Sequence, residues 1–279
     1  MNASLTGKVV IVTGSSQGIG FALAEHLLEL GASVVINGRD KDKLNRAAIR
    51  LRSKSESLLA VPGDISNFRD CQEIVQKSVA EFGRLDVLVN SAGISMQGEL
   101  DSLHPSVFAK VVNVNLVGTA NMTNLAIPSL RKSNGRVLFI SSMAGLLGLP
   151  GYSAYSASKM GLTALAQSLQ GELAGTGVSV GVAYLGFTEN DAAKKVLNRQ
   201  GDLIPQPARP FVEPTPVSVV VEQVIQMIRT RRRSQFIGYP GPMIAWLNWL
   251  APSFCLWYAR KAYRKHIRDE LPIAGHVNE

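Results

Sequence analysis

From Lys8 to Ala183 the chain alternates short β-branched runs with longer segments whose apolar residues recur at helical spacing, and this alternation leaves few folds open to it. Lys8 to Val12 is the first strand-like run, and Phe21 to Leu30 carries a helical period that stops at Gly31. Ala32 to Ile36, Leu58 to Val61, Leu85 to Val89, Arg136 to Ile140 and Val178 to Ala183 repeat the strand pattern. Helical patterns fill the intervals through Leu51, from Asp70 to Phe82, from Pro105 to Leu130 and from Tyr155 to Leu173. Strands separated by helices of about ten residues or more form βαβ units with parallel strands buried on both faces. The expectation is an α/β doubly wound parallel sheet in one domain over 1–235, followed by an apolar and basic C-terminal extension over 236–279. Asp202 to Pro216, rich in proline and poor in apolar side chains, reads as a loop or lid connection.

Thr13, Gly14, Ser15, Ser16, Gln17, Gly18, Ile19 and Gly20 lie between the first strand and the first helix. Glycines there permit a tight turn and a close backbone approach to a pyrophosphate, while the helix that follows offers unpaired N–H groups and the positive end of its dipole. In this context the motif points to a Rossmann fold holding a dinucleotide. An acidic side chain after the second strand would bind the ribose 2′-hydroxyl of NAD, but Asn37, Gly38 and Arg39 come first. Arg39 suits a 2′-phosphate, with Ser15 and Asn37 as supporting donors, which favours NADP(H). The alternative leaves Arg39 in solvent and gives the ribose to Asp40.

Tyr155 and Lys159 are four residues apart at the start of a predicted helix, so they share a face. A phenol with an ordinary pKa of about 10 serves poorly in acid–base catalysis at neutral pH until a nearby cation favours its phenolate. Lys159 can supply that cation.

The chain resembles the short-chain dehydrogenase/reductase family. The resemblance rests on TGSSQGIG at 13–20, Asp64 within GDIS, NSAG at 90–93, NVNLVG at 113–118, ISSMAG at 140–145 and YSASK at 155–159, in the family's order over roughly the first 190 residues. It implies that Tyr155 gives its proton to a carbonyl oxygen as hydride arrives from the nicotinamide, while Lys159 lowers the Tyr155 pKa and bonds the nicotinamide ribose. It further implies that Ser142 holds the substrate oxygen, with Ser141 structural. Asn115, rather than Asn113, anchors a water leading to Lys159. Asp64, with Ile65 beside it, contacts the adenine; Asn90 steadies the sheet and the cofactor loop, and Ala92 and Gly93 line it.

One segment departs from the family pattern. Leu185-Gly186-Phe187-Thr188-Glu189-Asn190 lacks the usual proline before Gly186, and Asn190 stands where the family has a threonine on the nicotinamide amide. Either Thr188 or Asn190 takes that contact. Leu-Gly at this place and the segment from Ser133 to Lys159 resemble the 11β-hydroxysteroid dehydrogenase branch, and GVSVGVAY at 177–184 resembles 3-ketosphinganine reductases. Both branches handle lipid-like ketones.

The formal net charge of +8 is concentrated at the end of the chain, where nine Lys/Arg from Arg229 onward face three acids. A body with so little excess charge argues against nucleic acid as a partner. Between Arg233 and Arg260 there is no charged residue, and all three tryptophans lie in that interval. Pro240, Pro242 and Pro252 break it, so a segment lying on a membrane surface through 236–268 is preferred to a span. Packing on a subunit partner or capping the substrate site is the alternative. Cys71 and Cys255 are far apart in unlike contexts, suggesting neither a disulfide nor a metal site, and no export signal is legible, so a cytoplasmic setting is expected. The leading functional expectation is an NADP(H)-dependent reaction between a ketone and a secondary alcohol on a bulky apolar substrate, in a homodimer or homotetramer. The rivals are a silent nucleotide sensor or scaffold of the same fold, and a soluble reductase of small or acyl-carrier-bound ketones.

Overall fold

The computed structural model describes residues 4–189, 194–206, 213–238 and 241–266. Seven parallel strands form the central sheet: β1 (Val9–Val12), β2 (Ser33–Gly38), β3 (Leu58–Pro62), β4 (Val87–Asn90), β5 (Arg136–Ser142), β6 (Ser179–Leu185) and β9 (Ser234–Ile237). Their order across the sheet is β3-β2-β1-β4-β5-β6-β9, so the chain reverses its direction of winding between β1 and β4. This is the expected doubly wound Rossmann sheet, and the crevice at such a reversal is where ligands bind in open α/β sheets.

The strand residues alternate between two cores, as a period of two requires. Val10, Val12, Val34 and Ile36 face α1 (Gly18–Glu29), α2 (Lys41–Arg52) and α7 (Val217–Thr230). Val9, Ile11, Val35 and Phe139 face α3 (Phe68–Phe82), α5 (Thr119–Ser133) and α6 (Ser153–Glu172). Beneath the sheet, Asp86 ties β1 to β4: its carboxylate accepts from the Val9 N–H at 3.0 Å and from Arg84 Nη2 at 2.7 Å, with Lys8 at 3.1 Å.

The structure changes three details of the sequence reading. The helix expected from Pro105 to Leu130 is α4 (Pro105–Val112) and α5, joined by a π-helical turn at Asn113–Gly118. Part of the expected loop at 202–216 is strand, because β8 (Leu203–Pro205) pairs antiparallel with β7 (Lys195–Leu197). The sheet also runs past the 235 boundary, since β9 pairs with β6 through Ile237.

After β9 come α8 (Gly241–Leu250) and α9 (Pro252–His266). Pro252 opens α9, where the absent N–H of a proline costs a helix nothing. Among the described residues no helix is long and apolar enough to cross a membrane.

Candidate active site

The glycine loop sits at the reversal point and is held by its neighbour across the crevice. Thr13 is buried, and its Oγ1 accepts from the backbone N–H groups of Ser91 and Ala92 at 3.0 and 3.1 Å. Gly14 passes so close to the second loop that a β-carbon would stand 2.6 Å from Ala92 Cα, and one on Gly20 would stand 2.6 Å from the Gly14 carbonyl. Only bare backbone fits at both points. Gln17 precedes α1 without a side-chain cap, the first turn has no acid, and Gly18 is exposed while Ile19 packs on the core. The first N–H groups of α1 therefore stay open to an anion.

The 2′-phosphate expectation is corrected in two of its donors. Ser15 is fully buried; its Oγ donates to the Val12 carbonyl at 2.6 Å and accepts from the Asn37 N–H at 2.9 Å. The Asn37 amide donates to the carbonyls of Val61 and Gly63, both at 3.1 Å. Both side chains join the loop to β2 and β3, because a buried polar group must find a partner inside. Ser16, half-buried against Gly38, is the hydroxyl beside the end of β2. Arg39 is exposed and forms no ion pair or hydrogen bond with the described residues. Asp40 caps α2 by accepting from the Lys43 N–H at 3.0 Å, an engagement that holds its carboxyl below the usual range.

Around the rest of the crevice, Asp64 is half-buried and turns one oxygen to Ser66, whose N–H and hydroxyl it accepts at 2.9 and 2.7 Å. Ile65 is buried beneath it, its carbonyl accepting from Cys71 Sγ. Asn90 donates to Thr123 Oγ1 at 3.1 Å, and its buried Oδ1 has no partner among the described residues. Uncapped amides, a glycine cradle and a lone buried acceptor fit a dinucleotide.

Tyr155 and Lys159 lie one turn apart in α6, with the Lys159 ammonium 5.7 Å from the centre of the Tyr155 ring. Lys159 is only 6% exposed and donates to the Ile140 carbonyl at 2.8 Å. Burial, with a smaller push from the Lys194 charge, lowers its pKa to about 8. Asn115 occupies the π-turn, and π-turns are frequent at functional sites. Its amide donates to the Ile94 carbonyl at 2.9 Å and to Ser158 Oγ at 3.0 Å, while its oxygen accepts from the Ile94 N–H at 2.8 Å. Those donors are fully engaged, so the side chain clamps the loop after β4 to α6. A β-carbon on Gly93 would lie 3.3 Å from Asn115 Oδ1 and 3.7 Å from Lys159 Nζ, which puts the three together.

Ser142 ends β5 half-buried, its Oγ accepting from the Ala144 N–H at 3.2 Å and keeping its own proton to donate. Ser141 is buried against the Lys159 carbonyl at 3.4 Å, a structural contact. The Gly186 N–H donates to the Ile237 carbonyl at 2.8 Å, and Thr188 bridges Thr215, so this loop is tied to β9 and the segment before α7. Asn190 lies outside the described residues. Sequence reasoning missed Ser158, the Ile140 carbonyl and Thr123, since nothing in a sequence marks the hydrogen-bond partner of a buried group.

An apolar cluster stands beside Tyr155: Met96, Leu103, Val107, Val111, Ala154 and Leu197, with Phe108 at its edge. Leu197 of β7 is seated there by the Ser95 carbonyl and the Gln97 N–H, at 2.9 and 2.8 Å.

Residues 8–201 match the model of the family described as short chain dehydrogenase. The chain belongs to that family. It is similar to bovine 3-ketodihydrosphingosine reductase, with 32% identity over 254 residues covering 88% of this chain and 75% of the relative. It is also similar to 11-beta-hydroxysteroid dehydrogenase A of Sesamum indicum, with 30% identity over 266 residues, 93% of this chain and 76% of that protein. The 11-beta-hydroxysteroid dehydrogenase-like 4A of Arabidopsis thaliana is 38% identical over 193 residues, 67% of this chain but only 62% of its own length. As a short-chain dehydrogenase the chain is an oxidoreductase of a family that uses a nicotinamide cofactor.

Proposed function

We propose that this short-chain dehydrogenase interconverts a ketone and a secondary alcohol on a bulky apolar substrate, using NADP(H). The observation that carries the reaction is the Lys159 ammonium buried beside Tyr155, at the end of β5 where Ser142 still has a hydroxyl proton to give. The bound cofactor supplies or accepts hydride. In reduction, Tyr155 gives its proton to the carbonyl oxygen, and Ser142 donates a hydrogen bond to the same oxygen as charge develops on it. Lys159, held by Ile140, favours the phenolate left behind and has N–H groups left that would hold the nicotinamide ribose when the cofactor is bound. Asn115 keeps the Ile94 loop and α6 in register and anchors the water that leads to Lys159.

NADP(H) is supported by Arg39, exposed at the end of β2 with Ser16 beside Gly38, while Asp40 is occupied in capping α2. Thr13, Gly14, Gly18, Gly20, Asp64, Asn90, Ala92, Gly93, Gly186 and Thr188 are the residues assigned to the rest of the cofactor. An apolar ketone is supported by the aliphatic cluster next to Tyr155 and by the relatives' names, which are a sphingoid-ketone reductase and hydroxysteroid dehydrogenases. The outer face of α8 and α9 supports contact with a membrane surface: Trp246 and Trp257 are 61% and 53% exposed, joined by Leu250 and Phe254, and the Lys261 ammonium lies 5.2 Å over the Trp257 ring. We also propose a homodimer or homotetramer as the working form.

The test is NADPH oxidation against a ketone panel with wild type and Tyr155→Phe. Loss of the proton donor should lower kcat by about 100-fold or more while NADPH binding stays the same. Equal rates in the two proteins would remove Tyr155 from the reaction, and a wild type that binds NADPH but reduces nothing would favour a nucleotide sensor.

A further inference from the structure

The C-terminal helices are fastened to the site at two places. Asn248 of α8 donates through Nδ2 to the Leu146 carbonyl at 3.0 Å, just past the 3-10 turn Met143–Gly145 that Ser142 caps. Tyr263 of α9 is buried, and its hydroxyl donates to Glu99 Oε1 at 2.7 Å. Its ring lies over Gly151, where a β-carbon would come within 2.9 Å.

Glu99 and Gly151 belong to segments that are themselves joined. The Gly98 N–H donates to the Gly151 carbonyl at 2.9 Å, and Gly98 bridges Tyr152. Tyr152 is the residue before α6, three positions ahead of Tyr155, and its carbonyl accepts from the Ser156 N–H at 2.8 Å. Tyr263 thus touches both loops that flank the reacting tyrosine, one through a charge-assisted hydrogen bond and the other through the face of its ring. A tail serving only as an anchor would have no need of a buried contact at this place.

We propose that Tyr263, through Glu99, is a positioning residue that holds α9 as one wall of the substrate mouth and thereby sets the preference for long or bulky apolar ketones. The inference rests on the reaction proposed above. Tyr263 acts through the loops carrying Glu99 and Gly151. Its loss weakens the hold on the apolar body of a substrate and leaves the proton donor where it is.

The experiment compares wild type, Tyr263→Phe, Glu99→Ala and Glu99→Gln on dodecan-2-one and cyclohexanone, with NADPH affinity measured in parallel. Tyr263→Phe and Glu99→Ala should raise KM for dodecan-2-one about tenfold, the equivalent of one charge-assisted hydrogen bond. Their kcat should stay within about twofold, while cyclohexanone kinetics and NADPH affinity remain those of wild type. Glu99→Gln keeps an acceptor and should restore most of the affinity. An unchanged KM for the long ketone, or equal losses on both ketones together with weaker NADPH binding, overturns the proposal.

A second readout does not need turnover. All three tryptophans lie in the α8–α9 segment, so their emission reports ketone entering the NADP⁺-loaded protein, which cannot reduce it. A midpoint for dodecan-2-one that rises about tenfold in Tyr263→Phe supports the wall even if the wild type reduces neither ketone; that combination sinks the reaction and not the wall. Equal midpoints, or a wild type whose emission ignores the ketone, overturn it.

Discussion

The Lys159 ammonium donates to the Ile140 carbonyl at 2.8 Å from a position almost closed to solvent. Burial has lowered its pKa to about 8, below the ordinary lysine value, so between about pH 8 and pH 10.5 the unfolded chain binds more protons than the folded one. The destabilisation is complete below pH 8 and is relieved as pH rises toward 10.5. Lys159→Met should therefore abolish turnover yet stabilise the cofactor-free protein by about 1–3 kcal/mol at pH 7, a few degrees in Tm. Thermal melts from pH 7 to pH 10.5 check this: the two curves should converge as pH rises, and a variant less stable at pH 7 contradicts it.

Arg39 stands exposed at the end of β2, while Asp40 is held by α2. Arg39→Ala should raise KM for NADPH about 10- to 100-fold and change KM for NADH less than threefold, because only the first cofactor carries the phosphate. Initial rates with each cofactor decide it. Parallel losses on both would assign Arg39 to something other than the 2′-phosphate.

Asp86 is a carboxylate that folding favours in its charged form. Burial pushes its pKa up, but hydrogen bonds from Arg84, the Val9 N–H and Lys8 prevail and hold it below the usual value. Its stabilisation is present above the unfolded pKa of about 3.9 and is lost as pH falls through the lower folded value. Asp86→Asn should cost about 2 kcal/mol at neutral pH, narrowing below about pH 4, as urea melts at both pH values will show.

The exposed aromatics of α8 and α9 predict binding to anionic vesicles. Trp246→Asp with Trp257→Asp should lower sedimentation with phosphatidylserine vesicles about tenfold or more, with the melting temperature changed by only a few degrees. Vesicle binding that survives both changes places the contact elsewhere.

The sheet was legible because its strands are short unbroken β-branched runs between segments of helical period, and its helices end at glycines such as Gly31 and Gly83, which need no distant partner to be read. Tyr155, Lys159 and the glycine loop were legible for the same reason, being short local patterns. Ser15 and Asn37 were misread because their type fits a phosphate, while the bonds that occupy them cross from β1 to β2 and β3. The π-turn at Asn115 was invisible too, since helical periodicity runs through it, as was the close pass of Gly118, where a β-carbon would stand 2.7 Å from the Ile65 carbonyl. Tyr263 and Glu99 are 164 residues apart, and no local pattern joins them.

The Thr13 hydroxyl, by accepting from two amides of the loop opposite while Gly14 slides beneath Ala92, settles the shape of the crevice when the chain folds. Little loop entropy is then left to lose when a dinucleotide arrives. The Ser91 and Ala92 amides should therefore be slow to exchange with deuterium before any ligand is added, and the occupant of the cradle should leave at a rate set by broken contacts, with no loop to reopen.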